Sequence, residues 1–219
     1  MEASPAMGKT QGLAGGCLVG AGISFWLAWF LMPLPGTTDP AFILEQVGLA
    51  SESVFASVAV QMLCCALFVP GLLGLALLPS TRDSTASFVG TSLTGIGVTG
   101  FAADAIYHLA AFEMSRPGIA REAMLPVMTR LQSADLAFIV PQLFALAIGV
   151  AVLARAAARA GVAPPRVPRE LLGALVLAVA GGAAVRALGA GRRELVLAVL
   201  ALFSLALAEL GAALARARS

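Results

Sequence analysis

The strongest constraint on this chain is an apolar run, residues 90–113, that contains both a carboxylate and the chain's only histidine. About 20 helical residues cover the ~30 Å hydrocarbon core of a bilayer, so the run is long enough to cross a membrane. Asp104 and His108 lie one helical turn apart and therefore share a face of the helix. Because a charged group at membrane depth is costly, we expect this face to turn toward other helices or a wet cavity.

The composition of the whole chain indicates the same class of protein. Of the 219 residues, 59% are hydrophobic and only 12% are charged, against about 25% charged in a typical soluble domain. We therefore predict an all-α fold, a polytopic transmembrane helical bundle. The net charge of +2 is too small to indicate direct binding of nucleic acid.

Six apolar segments have the length of membrane spans, and they divide into four plus two. They cover residues 12–32, 54–78, 90–113, 136–153, 171–188 and 195–214. The predicted domains are a four-span bundle with outer loops (1–154), a basic Arg/Pro cytoplasmic link (155–170), and a two-span hairpin with a basic tail (171–219). In the first span, Gly16 and Gly20 form a GxxxG pair, which predicts close contact with another helix.

The loops indicate an orientation. The first loop, residues 33–53, has three acidic residues and no basic one, whereas residues 155–170 hold four arginines and three prolines. Since cytoplasmic loops are enriched in Lys and Arg, we predict a multi-pass protein with both termini in the cytoplasm. Residues 114–133 carry charges and two prolines, and are expected to form a surface helix on the outer side.

The polar residues of the spans allow two interpretations. A histidine with nearby carboxylates is ligand chemistry, and the candidate metal ligands or proton carriers are Asp104, His108, Asp135 and Glu52. The alternative is that these groups only hold helices together through hydrogen bonds. A single histidine needs several converging carboxylates to complete a metal site, so the sequence favours the second interpretation and no metal is predicted.

No sequence motif of a common enzyme class is found. The letters GIGVTG at residues 95–100 match a dinucleotide fingerprint, but they lie inside a span and no strand precedes them, so the glycines are predicted to serve packing. Ser/His/Asp order, HExxH and Walker motifs are absent from the sequence. We therefore predict no catalytic residue, no cofactor and no enzymatic activity.

The basic link offers a surface for a partner. Its arginines, Arg155, Arg159, Arg166 and Arg169, are the predicted partner-binding residues. A guanidinium group forms two-point hydrogen bonds with carboxylates, which suits a helix of a soluble protein. The same charges could instead bind lipid headgroups, or simply anchor the topology.

The layout as a whole resembles a known family. The short arm MEASPAMGKTQ, the six spans, the link RAAARAGVAPPRVPRE and the tail RARS together resemble the six-span anti-sigma factors that regulate light-induced carotenogenesis in myxobacteria. The resemblance implies a regulator in the bacterial inner membrane that sequesters an extracytoplasmic-function sigma factor in the dark. Membrane lipid is the other partner that we predict. Two alternatives remain: a small multi-span transporter, and an intramembrane metal- or proton-handling enzyme that uses Asp104 and His108.

Overall fold

All regular structure in the described part of the chain is helical, as the sequence predicts. A computed structural model describes residues 5–33, 35, 37–78, 85–188 and 192–217, with side chains described except at 5–8, 182–188 and 192. The helices are α1 (Pro5–Leu31), α2 (Pro40–Leu49), α3 (Ser51–Ala76), α4 (Thr85–Met114), α5 (Arg121–Ala134), α6 (Val140–Arg159), α7 (Val167–Leu188) and α8 (Arg192–Arg216). A π-helical turn, Asp135–Ile139, joins α5 to α6.

Several helices have the dimensions of membrane spans. Within the described residues, five segments are long and apolar enough to cross a membrane: Lys9–Leu31, Ser51–Ala76, Thr85–Met114, Arg121–Arg159 and Arg193–Arg216. The fourth of these includes α5, which forms a helix as the sequence predicts and runs on through the π-helical turn into α6. The predicted fifth span, residues 171–188, falls on α7, whose side chains beyond residue 181 lie outside the described part. The helices are thus consistent with a membrane protein.

Helix α1 packs closely against α8 through small residues. A Cβ atom at Gly15 would lie 2.5 Å from the carbonyl oxygen of Gly211, and one at Gly22 would lie 2.8 Å from that of Ser204. Only glycine allows backbones to approach so closely. The predicted role of Gly16 is wrong, because no atom lies within 4 Å of a Cβ placed there. The contact uses Gly15 and Gly22, two turns apart on one face.

Helices α4 and α6 are antiparallel, and they also pack closely through glycine residues. A Cβ atom at Gly97 would lie 2.3 Å from the Cβ of Leu146, and one at Gly100 would lie 2.4 Å from that of Gln142. The packing role predicted for the glycines of residues 95–100 is therefore confirmed at Gly97 and Gly100. The antiparallel register sets the last turns of α4 beside the π-helical turn.

The predicted link of residues 155–170 is shorter than expected. Residues 155–159 extend α6 and residues 167–170 begin α7, so only residues 160–166 connect the two helices. Gly161 has φ +74°, a left-handed conformation that suits glycine and ends α6. The predicted hairpin also does not stand apart, since buried residues of α8 share one core with those of α1, α3 and α6.

At the end of the helices away from this link, α2 and α5 cover a second, smaller core. Asp39 caps α2 by accepting hydrogen bonds from the backbone N–H groups of Ala41 and Phe42 at 3.0 and 3.4 Å. Arg121 at the start of α5 lies 3.4 Å from the Glu45 carboxylate on α2. The buried apolar residues beneath them are Met32, Ile43, Leu44, Val47, Val54, Tyr107, Ala111 and Met128.

The glycine contact between α4 and α6 gives a prediction with an internal control. Gly97→Ala would force its Cβ into Leu146, and we expect it to lower the free energy of unfolding by about 1–3 kcal/mol. Gly95→Ala, two residues away on the same helix, meets no atom within 4 Å and should be neutral or slightly stabilising. Unfolding by denaturing detergent in bicelles measures both. Equal stability of the two variants would contradict this packing.

Candidate functional site

The buried carboxylate of Asp104 is bound by a neighbouring helix. Asp104 on α4 is only 5% exposed, and Gln61 on α3 is 2% exposed. The side-chain amide of Gln61 donates from Nε2 to Asp104 Oδ2 at 2.5 Å, and also to the carbonyl oxygen of Phe101 at 3.2 Å. A hydrogen bond to a charged acceptor is stronger than one between neutral groups, so this contact ties α3 to α4.

His108 lies beside the same carboxylate. Its Nδ1 atom is 3.4 Å from Asp104 Oδ2, close enough for an ion pair but outside hydrogen-bond geometry. The imidazole is enclosed by two aromatic rings, with centroid distances of 6.1 Å to Trp29 and 5.2 Å to Tyr107. The sequence spacing of four residues thus brings Asp104 and His108 together on one helix face, as predicted.

A second carboxylate, Asp135, begins the π-helical turn and is held by a short chain of hydrogen bonds. The Tyr107 hydroxyl donates to Gln132 Oε1 at 2.5 Å, and Gln132 Nε2 donates to Asp135 Oδ2 at 3.4 Å. Asp135 is 8% exposed, and its Oδ1 atom has no hydrogen-bond partner. Single π-helical turns within longer helices are frequent at functional sites because they redirect side chains.

These groups line a cavity of about 280 Å³, which we call the acidic cavity. Its polar lining includes Asp104, Tyr107, His108, Gln132 and Asp135, and its rim includes the exposed loop residue Thr38. Trp29, Val140 and Leu143 also border a neighbouring cavity of about 230 Å³, the apolar cavity, which is lined by α1, α6, α7 and α8. The two cavities therefore share these three lining residues.

The predicted site residues do not all converge. Asp104, His108 and Asp135 line the acidic cavity, whereas Glu52 is exposed at the start of α3 and is not part of its lining. No group of three or more His, Cys, Asp or Glu residues in the described ranges is arranged to hold a metal ion. Sequence reasoning missed Gln61 and Gln132 as partners of the carboxylates, although Gln61 lies within an apolar helix and was a usable signal.

The predicted partner-binding arginines lie at the opposite end of the helices. Arg155, Arg159 and Arg169 are exposed and line a groove of about 420 Å³, the arginine groove, whose apolar wall includes Ile148 and Leu172. No carboxylate of the described residues forms an ion pair with these three guanidinium groups. The groove is therefore cationic and available to an external anion.

Arg166 differs from the other three arginines. Its guanidinium forms a two-point ion pair with the carboxylate of Glu209 on α8, with Nε 2.9 Å from Oε1. The hydrogen bond to Glu209, together with the negative charge of that carboxylate, raises the pKa of Arg166 above its usual value. Arg166 is thus engaged in holding the 160–166 connection to α8 and is not part of the groove lining.

Comparison with known proteins identified no relative. No protein-family model, curated protein or solved structure matches this chain. The class that the fold and the two sites define is an all-helical protein with membrane-length helices, an acidic cavity at one end and an arginine groove at the other. The acidic cavity and the arginine groove are therefore the features that indicate its function.

The contact between Gln61 and Asp104 gives a stability prediction. Gln61→Leu removes the closest donor to a buried carboxylate, and we expect a loss of about 2 kcal/mol or more in the free energy of unfolding. Asp104→Asn keeps an acceptor for Gln61 and removes a buried charge, so its stability should stay within about 1 kcal/mol of the unsubstituted chain.

The same unfolding assay in bicelles measures both changes. Gln142→Leu serves as the control, because the side-chain contact of Gln142 with Thr99, at 3.4 Å, is exposed. If Gln61→Leu proved no more costly than Gln142→Leu, the bond to Asp104 would not tie the two helices together.

Proposed function

We propose that the chain is a six-span regulatory protein of a bacterial inner membrane, an anti-sigma factor that holds an extracytoplasmic-function sigma factor at the arginine groove. In this proposal α7 also crosses the membrane, as the fifth of six spans, both termini are cytoplasmic, and the groove faces the cytoplasm. The observation that carries the proposal is the convergence of Arg155, Arg159 and Arg169 on one exposed groove. The light response and carotenoid genes follow only from the sequence resemblance.

The groove has the chemistry for an acidic amphipathic helix. Its arginines can form forked hydrogen bonds with carboxylates, and the exposed side chains of Ile148 and Leu172 can pack against apolar residues of the same helix. The connection between α6 and α7 is short, which limits the conformational entropy lost when a partner binds. A soluble helix of a sigma factor fits this description.

A second candidate function rests on the other end of the molecule. The acidic cavity, with two buried carboxylates and a histidine, supports a small transporter or a protein that handles a cation within the membrane. This alternative uses Asp104 and His108 and requires nothing of the arginine groove, so the two functions can be tested separately.

The proposed docking is tested by changing guanidinium geometry while keeping charge. The triple variant Arg155→Lys, Arg159→Lys and Arg169→Lys preserves the charges that fix topology but removes the forked hydrogen bonds. We expect capture of the cognate sigma factor to fall about tenfold or more. The measurement is co-purification from membranes after co-production with each extracytoplasmic-function sigma factor of the host.

Arg166→Lys is the matched control, because Arg166 is already bound to Glu209 and should not contribute to docking. Its sigma-factor capture should equal that of the unsubstituted chain. Undiminished capture by the triple variant, or failure of the unsubstituted chain to retain any of the sigma factors, would contradict the proposal.

A further inference from the structure

The acidic cavity contains polar atoms that nothing in the described structure satisfies. Asp135 and Trp29, two residues of its lining, each have a buried polar atom without a hydrogen-bond partner, Oδ1 and Nε1, whereas His108 Nδ1 lies 3.4 Å from Asp104 Oδ2. Leaving a buried polar atom unpaired costs about 1–3 kcal/mol, and more for a charged group. Asp135 lines the cavity, and its Oδ1 atom is a buried carboxylate oxygen without a hydrogen-bond donor.

The charge of the lining specifies the sign of a ligand. The lining has two carboxylates, Asp104 and Asp135, against one imidazole, His108, and neither lysine nor arginine occurs among the residues that line the cavity. The Gln61 and Gln132 amides donate hydrogen bonds to these carboxylates but carry no positive charge. Because opposite charge is attracted strongly in a buried, poorly hydrated site, the cavity favours a cation.

The walls favour an organic cation over a metal ion. The lining includes the aromatic residues Trp29 and Tyr107, whose ring type attracts ammonium groups, and the neighbouring apolar cavity shares Trp29, Val140 and Leu143 with it. A bare or hydrated metal ion would gain nothing from this hydrocarbon surface. The described carboxylates and histidine also do not form a three-ligand metal arrangement.

We propose that the acidic cavity binds a primary amine with a short hydrocarbon body. The ammonium group is attracted by the carboxylates of Asp135 and Asp104, both of which line the cavity. The indole ring of Trp29 covers the ammonium group, and the hydrocarbon body extends into the apolar cavity. This site is at the opposite end of the helices from the arginine groove, so it stands whether or not a sigma factor docks there.

The test uses hexylamine as the probe and the indole of Trp29 as the reporter. A Trp26→Phe background leaves Trp29 as the only tryptophan, since the chain has 2. In nanodiscs, hexylamine should change Trp29 fluorescence in a saturable manner. Hexan-1-ol and hexanoate, which match the hydrocarbon body but lack the positive charge, should bind at least tenfold more weakly.

Two substitutions identify the carboxylates. Asp135→Asn and Asp104→Asn should each weaken hexylamine binding at least tenfold, while Glu52→Gln, which changes an exposed acid outside the cavity, should leave it unchanged. Asp104→Asn keeps the acceptor for Gln61, so it provides a folded variant should Asp135→Asn not fold.

Three results would overturn the proposal. The first is a response to hexan-1-ol as strong as that to hexylamine, which would mean simple partition into hydrocarbon. The second is unchanged affinity in the Asp104→Asn variant. The third is stoichiometric Zn²⁺ bound by the purified protein and lost in both Asp104→Asn and His108→Ala, which would assign the cavity to a metal ion.

Discussion

A carboxylate inside an apolar helix must be hydrogen-bonded by its neighbours, and Asp104 sets this requirement for the helices around it. Gln61 on α3 supplies the donor, and His108 on the next turn of α4 lies against the same oxygen. The aromatic rings of Trp29 and Tyr107 then enclose the imidazole. Three helices are thus brought to one place by a single buried charge, and the acidic cavity forms where they meet.

Close backbone contact is what makes that arrangement possible. The glycines at positions 97 and 100 let α4 lie directly against α6, which places the Asp135 turn beside the last turns of α4. Gly15 and Gly22 do the same for α1 and α8, so that Trp29 at the end of α1 reaches the cavity wall. Within a lipid bilayer, helices associate through close packing, because an apolar side chain is as well solvated by lipid as by another helix.

Sequence reasoning could predict the helical class and the pairing of Asp104 with His108, because hydropathy and helical spacing are local properties. It could not determine which face of α1 meets another helix: Gly16 and Gly15 differ by one residue, and only the position of α8 decides between them. The π-helical turn at Asp135 and the capture of Arg166 by Glu209 were likewise missed. The Arg166–Glu209 pair joins segments that are distant in the chain, which helical spacing and hydropathy do not report.

The proposed topology places the acidic cavity and the arginine groove on opposite sides of a membrane. Labelling with a membrane-impermeant maleimide tests it most directly, using Glu122→Cys and Glu170→Cys, two exposed positions near the cavity end and the groove end. In intact spheroplasts, Glu122→Cys should be labelled, and Glu170→Cys should react only after the membrane is permeabilised. Labelling of both positions without permeabilisation, or of Glu170→Cys alone, would contradict the account.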